Sequence, residues 1–182
     1  MTGPKPLSNI LEITPYKGGE KLETGWKLSS NENPLGCSPL VREALSKVGE
    51  HLELYPDGGA GKLRQAIGAK YNVNPDNIVC GAGSDEIFQL LGRAYLSPGD
   101  EIIQSAHGFL VYRLVAQQSG AVTISAPETD LKADVDAMLN CVTEKTKIVF
   151  LANPNNPTGT MTSAAEIARL HAGLRSPMVL RA

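Results

Sequence analysis

The chain reads as an α/β protein, with a mostly parallel sheet covered by helices on both faces to give three α/β/α layers. Three observations predict it. From residue 101 onward, strand-like and helix-like stretches alternate: 101–105, 121–126, 147–152 and 178–180 read as strands, and 109–118, 134–142 and the run from Ser163 to His171 as helices. The strands are short and apolar, and the helices between them run to roughly ten residues, the pattern of parallel strands joined by crossovers. Strong punctuation separates the elements, with Ser97-Pro98-Gly99-Asp100 as a turn and Ser163-Ala164-Ala165-Glu166 as a capping box.

Composition sets the outer limits. A chain of 182 residues that is 42% hydrophobic can bury one sizeable core. The formal charge is −2, and the 17 basic residues are scattered, so no basic face for nucleic acid and no polybasic membrane tether is expected. No apolar run is long enough to span a bilayer, and Met1-Thr2-Gly3-Pro4-Lys5-Pro6 lacks the apolar core of a signal peptide, so a cytoplasmic location is expected. Cys37, Cys80 and Cys141 are odd in number and widely separated, which predicts reduced structural thiols and no metal site.

Residues 1–37 are rich in proline and glycine with little periodicity, and read as an N-terminal arm; 38–182 read as part of one larger domain. The arm ends in Leu28-Ser29-Ser30-Asn31-Glu32-Asn33-Pro34-Leu35-Gly36, a short extended piece followed by turn chemistry. Ser38-Pro39 supplies a cap and a first-turn proline for a helix to about Val48, with Leu40, Ala44, Leu45 and Val48 on one face. The loop Pro56-Asp57-Gly58-Gly59-Ala60-Gly61 precedes a helix striped by Leu63, Ala66, Ile67 and Tyr71. Asn74-Pro75-Asp76-Asn77 then turns the chain into a stretch, 77–80, that reads as extended.

That stretch runs into the segment around which the whole chain is organised, Cys80-Gly81-Ala82-Gly83-Ser84-Asp85-Glu86, with Ser84 read as the N-cap of a helix to about Leu96. Two readings are open for it. It is a strand-to-helix turn made of small residues for packing, or a phosphate cradle in which free N–H groups, the Ser84 hydroxyl and the helix dipole hold a dianion. As a dinucleotide fingerprint it is poor, because Glu86 occupies the place of the third glycine. The other distinctive run is Ala152-Asn153-Pro154-Asn155-Asn156-Pro157-Thr158-Gly159, at the carboxyl end of a strand, where open α/β sheets bind ligands. It offers either Asn155 or Asn156 as an amide donor to an oxygen on a flat heteroaromatic ring.

That run resembles the Asn-Pro-Asn-Asn-Pro-Thr-Gly motif of the fold-type I aminotransferases, which use pyridoxal 5′-phosphate (PLP). Further matches fall in the same order: Thr14-Pro15-Tyr16-Lys17-Gly18-Gly19, Ser30 to Gly36, Leu54-Tyr55-Pro56-Asp57 and Gly81 to Glu86. The pattern is most similar to members that exchange an amino group between L-histidinol phosphate and 2-oxoglutarate in histidine biosynthesis. The resemblance implies that Gly83, Ser84 and Asp85 hold the cofactor phosphate, that Phe109 stacks on the pyridine ring, and that Asn156 bonds the ring hydroxyl oxygen. It implies that Tyr55 reaches the cofactor phosphate of a neighbouring subunit, which makes the active unit a homodimer, and that Asn33 lines the substrate side. His107, where the family often has proline, is read as structural.

PLP chemistry also needs an amine to condense with the cofactor and an acid partner for the pyridinium nitrogen. The resembling enzymes supply these from further along: an aspartate and a tyrosine after the next strand, then a lysine and an arginine. The sequence stops as that strand begins, so no catalytic residue is assigned, and the chain is expected to be a truncated half without the smaller C-terminal domain. Lys145 and Lys147 lie at the start of a strand, the wrong edge for the site. Alternatives within the class are a threonine-phosphate decarboxylase or an aromatic amino-acid aminotransferase; outside it, a noncatalytic fragment or, more distantly, a nucleotide-binding domain. Because the fold implied by the resemblance would leave 78–80 without sheet neighbours, the isolated chain should self-associate. Sedimentation at micromolar concentration tests this, and a soluble, sharply melting monomer would contradict it.

Overall fold

A computed structural model describes residues 4–15, 24–25, 30–49, 52–174 and, for the backbone only, 178–181. Tyr16-Lys17-Gly18-Gly19 and Leu28-Ser29 of the motifs lie outside the described residues. The chain divides into two compact units, Met1–Ile13 with Val79–Ala182, and Thr14–Ile78.

The larger unit is built on strands β1 (Glu101–Ser105), β2 (Val122–Ala126), β5 (Thr146–Leu151) and β6 (Met178–Arg181), with a short antiparallel hairpin of β3 (Glu128–Thr129) and β4 (Lys132–Ala133). The four-stranded sheet has the order β2-β1-β5-β6 and every pairing is parallel, as the alternation of elements requires. In register, Ile103 faces Ile124 on one side and Val149 on the other.

Helices α4 (Gly83–Tyr95), α5 (Leu110–Gln118), α6 (Val135–Asn140) and α7 (Ala164–Gly173) cover the sheet, and the short α1 (Ser8–Leu11) packs on α5, where the Asn9 side chain donates to the Gln117 carbonyl at 2.9 Å. Successive side chains of a strand point to opposite faces, so the two central strands feed two cores. Ile103, Val149 and Leu151 pack with Val135 and Met138 of α6 and Leu170 of α7. Ile102, Ile148 and Phe150 pack with Phe88 of α4 and Tyr112, Val115 and Ala116 of α5. The second core is aromatic: Tyr112 stacks on Phe150 with centroids 4.4 Å apart, and Phe88 meets both in T-shaped contacts at 5.0 and 5.8 Å. Such pairs add about 0.5–1.5 kcal/mol each beyond the area they bury. Burial pushes the Tyr112 hydroxyl up to about 12.

The smaller unit holds α2 (Pro39–Val48), α3 (Gly61–Tyr71) and a 3-10 turn at Pro75–Asn77. Its punctuation is as the sequence implies. The Ser38 hydroxyl accepts from Leu40 N, the Asn74 side chain caps the turn by accepting from Asp76 N, and the Asp57 carboxylate accepts from Gly59 N and Gly61 N at 2.9 and 2.7 Å at the start of α3. No residue of α2 is buried, and its predicted apolar face lies open: Leu40, Leu45 and Val48 are all exposed.

Three local expectations are corrected. Asn77 belongs to the 3-10 turn and is not extended, and residues 78–81 join no sheet. Helix α4 begins two residues earlier than expected, so Ala82, not Ser84, is its N-cap and Ser84 sits inside the first turn. The reason is the left-handed backbone of Gly83 (φ +72), which lets the helix start on the glycine. The hairpin β3–β4 was not anticipated; its turn residues Asp130 and Leu131 both have positive φ, the geometry of a two-residue hairpin, without the glycine that usually announces one.

The capping box of α7 is formed as expected: the Ser163 hydroxyl accepts from Glu166 N while the Glu166 carboxylate accepts from Ser163 N. Hydrogen bonding by Ser163 first, and then by Lys132 Nζ at 3.1 Å, lowers the Glu166 carboxyl from 4.5 to about 2. A depressed folded-state value means that this contribution is complete above about 4.5 and is lost as the pH falls toward about 2. Glu166→Gln should therefore flatten the acid dependence of the melting temperature across that window; a slope identical to wild type would refute the assignment.

Candidate active site at the carboxyl edge of the sheet

The parallel sheet sends the ends of β1, β2 and β5 to one edge, and the start of α4 lies toward the same edge because α4 runs back to feed β1. At that start the Gly83 amide donates to the Gly81 carbonyl (2.9 Å) and the Ala82 amide to Glu86 Oε2 (2.6 Å). The next amides, of Ser84 and Asp85, have no acceptor among the described residues, and the Ser84 hydroxyl has no partner there either. A side chain at Gly83 would meet nothing within 4 Å, so the backbone is open to an approaching group. Two free amides, a hydroxyl and the positive end of a helix of 13 residues form a donor set that fits a phosphate monoester.

The loop after β5 is stapled from within. Asn153 and Thr162 exchange hydrogen bonds, Nδ2 to carbonyl at 3.1 Å and amide to Oδ1 at 2.8 Å. Asn155 N donates to the Thr160 carbonyl, and Asn155 Nδ2 divides its two protons between Thr158 Oγ1 (2.9 Å) and the His107 carbonyl (3.2 Å). Asn155 is buried and its amide protons are spent; Asn156, next to it, is exposed and its side chain has no partner among the described residues. Of the two amides the sequence left open, only that of Asn156 is free to donate to a ligand.

The loop after β1 carries Phe109. Its ring is half-buried, in T-shaped contacts with Phe88 (6.4 Å) and Tyr112 (5.8 Å), so it joins the aromatic core and keeps part of its surface open. The preceding His107 is bound twice by Glu128: its amide donates to Oε1 at 2.9 Å, and its Nδ1 lies 2.7 Å from Oε2. The Glu128 side chain is only 5% exposed. Burial by itself raises a carboxyl, but the His107 amide, the His107 ring and the Ser105 hydroxyl outweigh it and hold Glu128 below its ordinary value.

Residues 23–176 match the family model described as aminotransferase class I and II. The chain belongs to that family. It is 56% identical over 180 residues to the histidinol-phosphate aminotransferase of Maricaulis maris, covering 97% of this chain and 50% of that protein. With the enzyme of the same name from Paramagnetospirillum magneticum it shares 54% over 184 residues, 99% of this chain and 51% of the other. Among solved structures, histidinol-phosphate aminotransferase from Sinorhizobium meliloti, in complex with pyridoxal-5′-phosphate, superposes with a TM-score of 0.80 at 24% identity, over 84% of this chain and 42% of that one. A putative histidinol-phosphate aminotransferase from Erwinia carotovora atroseptica gives 0.77 at 26% identity, over 84% and 45%. The chain thus spans about half the length of the curated relatives it matches.

Within this family member, Gly83, Ser84, Asp85, Phe109 and Asn156 lie in one unit. The start of α4 and the Phe109 loop meet through the Phe88–Phe109 contact, and the Phe109 and Asn156 loops meet through the bond from Asn155 to His107. Asn33 and Tyr55 belong to the other unit. Asn33 is occupied by its own turn, accepting from Leu35 N and donating to the Gly36 carbonyl, and Tyr55 is fully exposed. Lys145 and Lys147 lie at the opposite edge of the sheet, at the amino end of β5, with Lys147 4.0 Å from Asp100. Glu128 was missed by sequence reasoning, because the unannounced hairpin hid the fact that it faces the β1 loop.

Gly108 sits where the loop closes over β1: a Cβ there would stand 2.8 Å from Gln104 Cδ and 3.0 Å from the Ser105 carbonyl. Gly108→Ala should therefore cost about 1–3 kcal/mol by overpacking and move the Phe109 ring resonances in NMR while leaving those of β6 in place. An unperturbed Phe109 would show that the close approach does not position the loop.

Proposed function

We propose that the chain supplies the cofactor-binding part of a PLP-dependent aminotransferase of L-histidine biosynthesis, exchanging an amino group between L-histidinol phosphate and 2-oxoglutarate, with imidazole-acetol phosphate and glutamate as the other pair. The observation that carries the reading is the coincidence of two independent lines. The positions that resemblance assigns to the cofactor, Ser84, Asp85 and Asn156, are the ones whose donors are left unpaired, while neighbouring Asn153 and Asn155 are consumed by the fold. The names of relatives identical to this chain at more than half of the aligned positions support the substrate.

In this reading the amides of Ser84 and Asp85 and the Ser84 hydroxyl hold the cofactor phosphate, and Gly83 lets it approach. Phe109 presents the open part of its ring to the pyridine, and the Asn156 amide donates to the ring hydroxyl oxygen. Bound there, PLP supplies an electron-withdrawing pyridinium ring. The lysine and the acidic partner that this chemistry requires are assigned to sequence outside the span of this chain, as are the remaining strands of the large domain that 38–182 begins. Tyr55 is proposed to reach the phosphate bound by a second subunit, and Asn33 to line the substrate side, so the active unit is a homodimer. No described helix is long and apolar enough to cross a membrane, and a cytoplasmic location is proposed.

The reading is tested on the protein in its full-length form. It should turn over L-histidinol phosphate in preference to threonine phosphate, which would report a decarboxylase, and to aromatic amino acids; a reversed preference overturns the substrate. Asn156→Ala should lower kcat by about 10–100-fold, the loss of one hydrogen bond of about 1.5–3 kcal/mol to a charged group. For the 182-residue chain alone, titration with PLP should show only the spectrum of free cofactor; a shifted band fixed to one lysine by borohydride would show that a residue of this chain supplies the amine.

A further inference from the structure

The contacts around Glu128 form a closed circuit. The His107 amide and ring are held by the two Glu128 oxygens. The His107 carbonyl accepts from Asn155 Nδ2, which also donates to Thr158 Oγ1. Thr158 Oγ1 donates in turn to Thr160 Oγ1 at 2.8 Å, a direction set by the bond from Thr160 Oγ1 to the Leu131 carbonyl, also 2.8 Å. Leu131 lies in the turn of the hairpin that carries Glu128, so the chain of bonds returns to its origin. Three loops at the carboxyl edge are joined by it: the one carrying Phe109, the one carrying Asn156, and the hairpin, which carries none of the residues assigned to the cofactor.

We propose that Glu128 is a positioning residue for the cofactor site: its buried carboxylate, through His107 and Asn155, sets the Phe109 loop against the Asn156 loop. The proposal rests on the proposed cofactor reading. An exposed ion pair would be worth too little to do this, about 0–1 kcal/mol. Glu128 differs in being 5% exposed, with His107 N and His107 Nδ1 both on one carboxylate. Removing its charge leaves a neutral group to hold both His107 donors; the His107 ring is 55% exposed, so what the change costs is the hold of the carboxylate on the β1 loop. A stacking ring and a hydroxyl-binding amide must hold their relative place within a fraction of an ångström to orient a flat cofactor, and the β1 and β5 loops have only the bond from Asn155 to His107 between them among the described residues.

The test uses the full-length holoprotein and three variants: Glu128→Gln, His107→Leu and His107→Asn, whose amide can stand where Nδ1 stands. Glu128→Gln and His107→Leu should each raise the Kd for PLP by about 10-fold, the low end of the range found for outer-shell partners in metal sites, and diminish the visible circular dichroism of bound PLP. His107→Asn should retain both. Exchange of the His107 amide should quicken in Glu128→Gln while the Ile102 and Ile103 amides keep their protection. If the wild-type protein binds no PLP, the cofactor reading fails and this inference with it. If wild type binds PLP but Glu128→Gln leaves its dichroism and affinity unchanged, or His107→Leu behaves like His107→Asn, the positioning role is overturned and the cofactor reading stands. Should Glu128→Gln fail to fold, the His107 pair decides alone.

Discussion

Burial of β1 and β5 on both faces is the constraint on which the other features of the larger unit depend. Ile102 and Ile103, adjacent in sequence, are each fully buried in a different core, and the same holds for Ile148 and Val149. At Ile102–Ile103 and Ile148–Leu151 these strands have no face left for polar side chains, so polar chemistry is driven toward the strand ends. Each fully buried large apolar side chain adds about 1.5–3 kcal/mol, which gives the sheet the rigidity against which exposed loops are held. Gly92 shows how tight the cover is: a Cβ there would lie 2.4 Å from Val115 Cγ1, so α4 and α5 meet at a distance only glycine permits. That approach brings Phe88 to the Phe109 ring and ties the start of α4 to the β1 loop.

At the carboxyl edge the balance changes from apolar area to hydrogen bonds. Asn153 and Asn155 are both buried, yet both side chains are hydrogen-bonded, so their desolvation is offset. The one buried side-chain oxygen without a partner among the described residues is Gln104 Oε1, directly beneath Gly108. Its place under the Phe109 loop shows how closely that loop is pressed on β1. Satisfied asparagines hold the shape, and the donors of Ser84 and Asn156 are the ones without a partner among the described residues.

The sheet, its crossover helices and the caps were legible because each rests on local information. The alternation of apolar stretches, the capping box at Ser163 and the cap at Ser38 are all readable within a few residues. The candidate site residues come from motif resemblance and not from spacing; nothing in the composition of Asn155-Asn156 says which amide is free, since that depends on His107, 48 positions away. The extended reading of 77–80 failed at Asn77 because the Asn74 cap draws the chain into a 3-10 turn, and 78–81 have no strand to pair with among the described residues. Glu128 was illegible for the same kind of reason: its partner lies 21 residues earlier, beyond α5 and β2, and its own hairpin has no glycine in its turn.

The charge at the start of α4 restricts what the cradle can accept. A dinucleotide needs a third small residue so that helix and strand approach closely beneath two linked phosphates. Here Glu86 fills that place, and its carboxylate already takes the Ala82 amide at 2.6 Å, which removes one donor and sets a negative charge beside the others. With Asp85 in the same turn, two carboxylates flank the free donors. The helix dipole offsets only a fraction of that repulsion, about 0.3–1 kcal/mol at an exposed terminus. Two amides and one hydroxyl satisfy the oxygens of a single terminal phosphate and leave nothing for a second. The donor set at the start of α4 therefore suits one terminal phosphate and not a pair of linked ones.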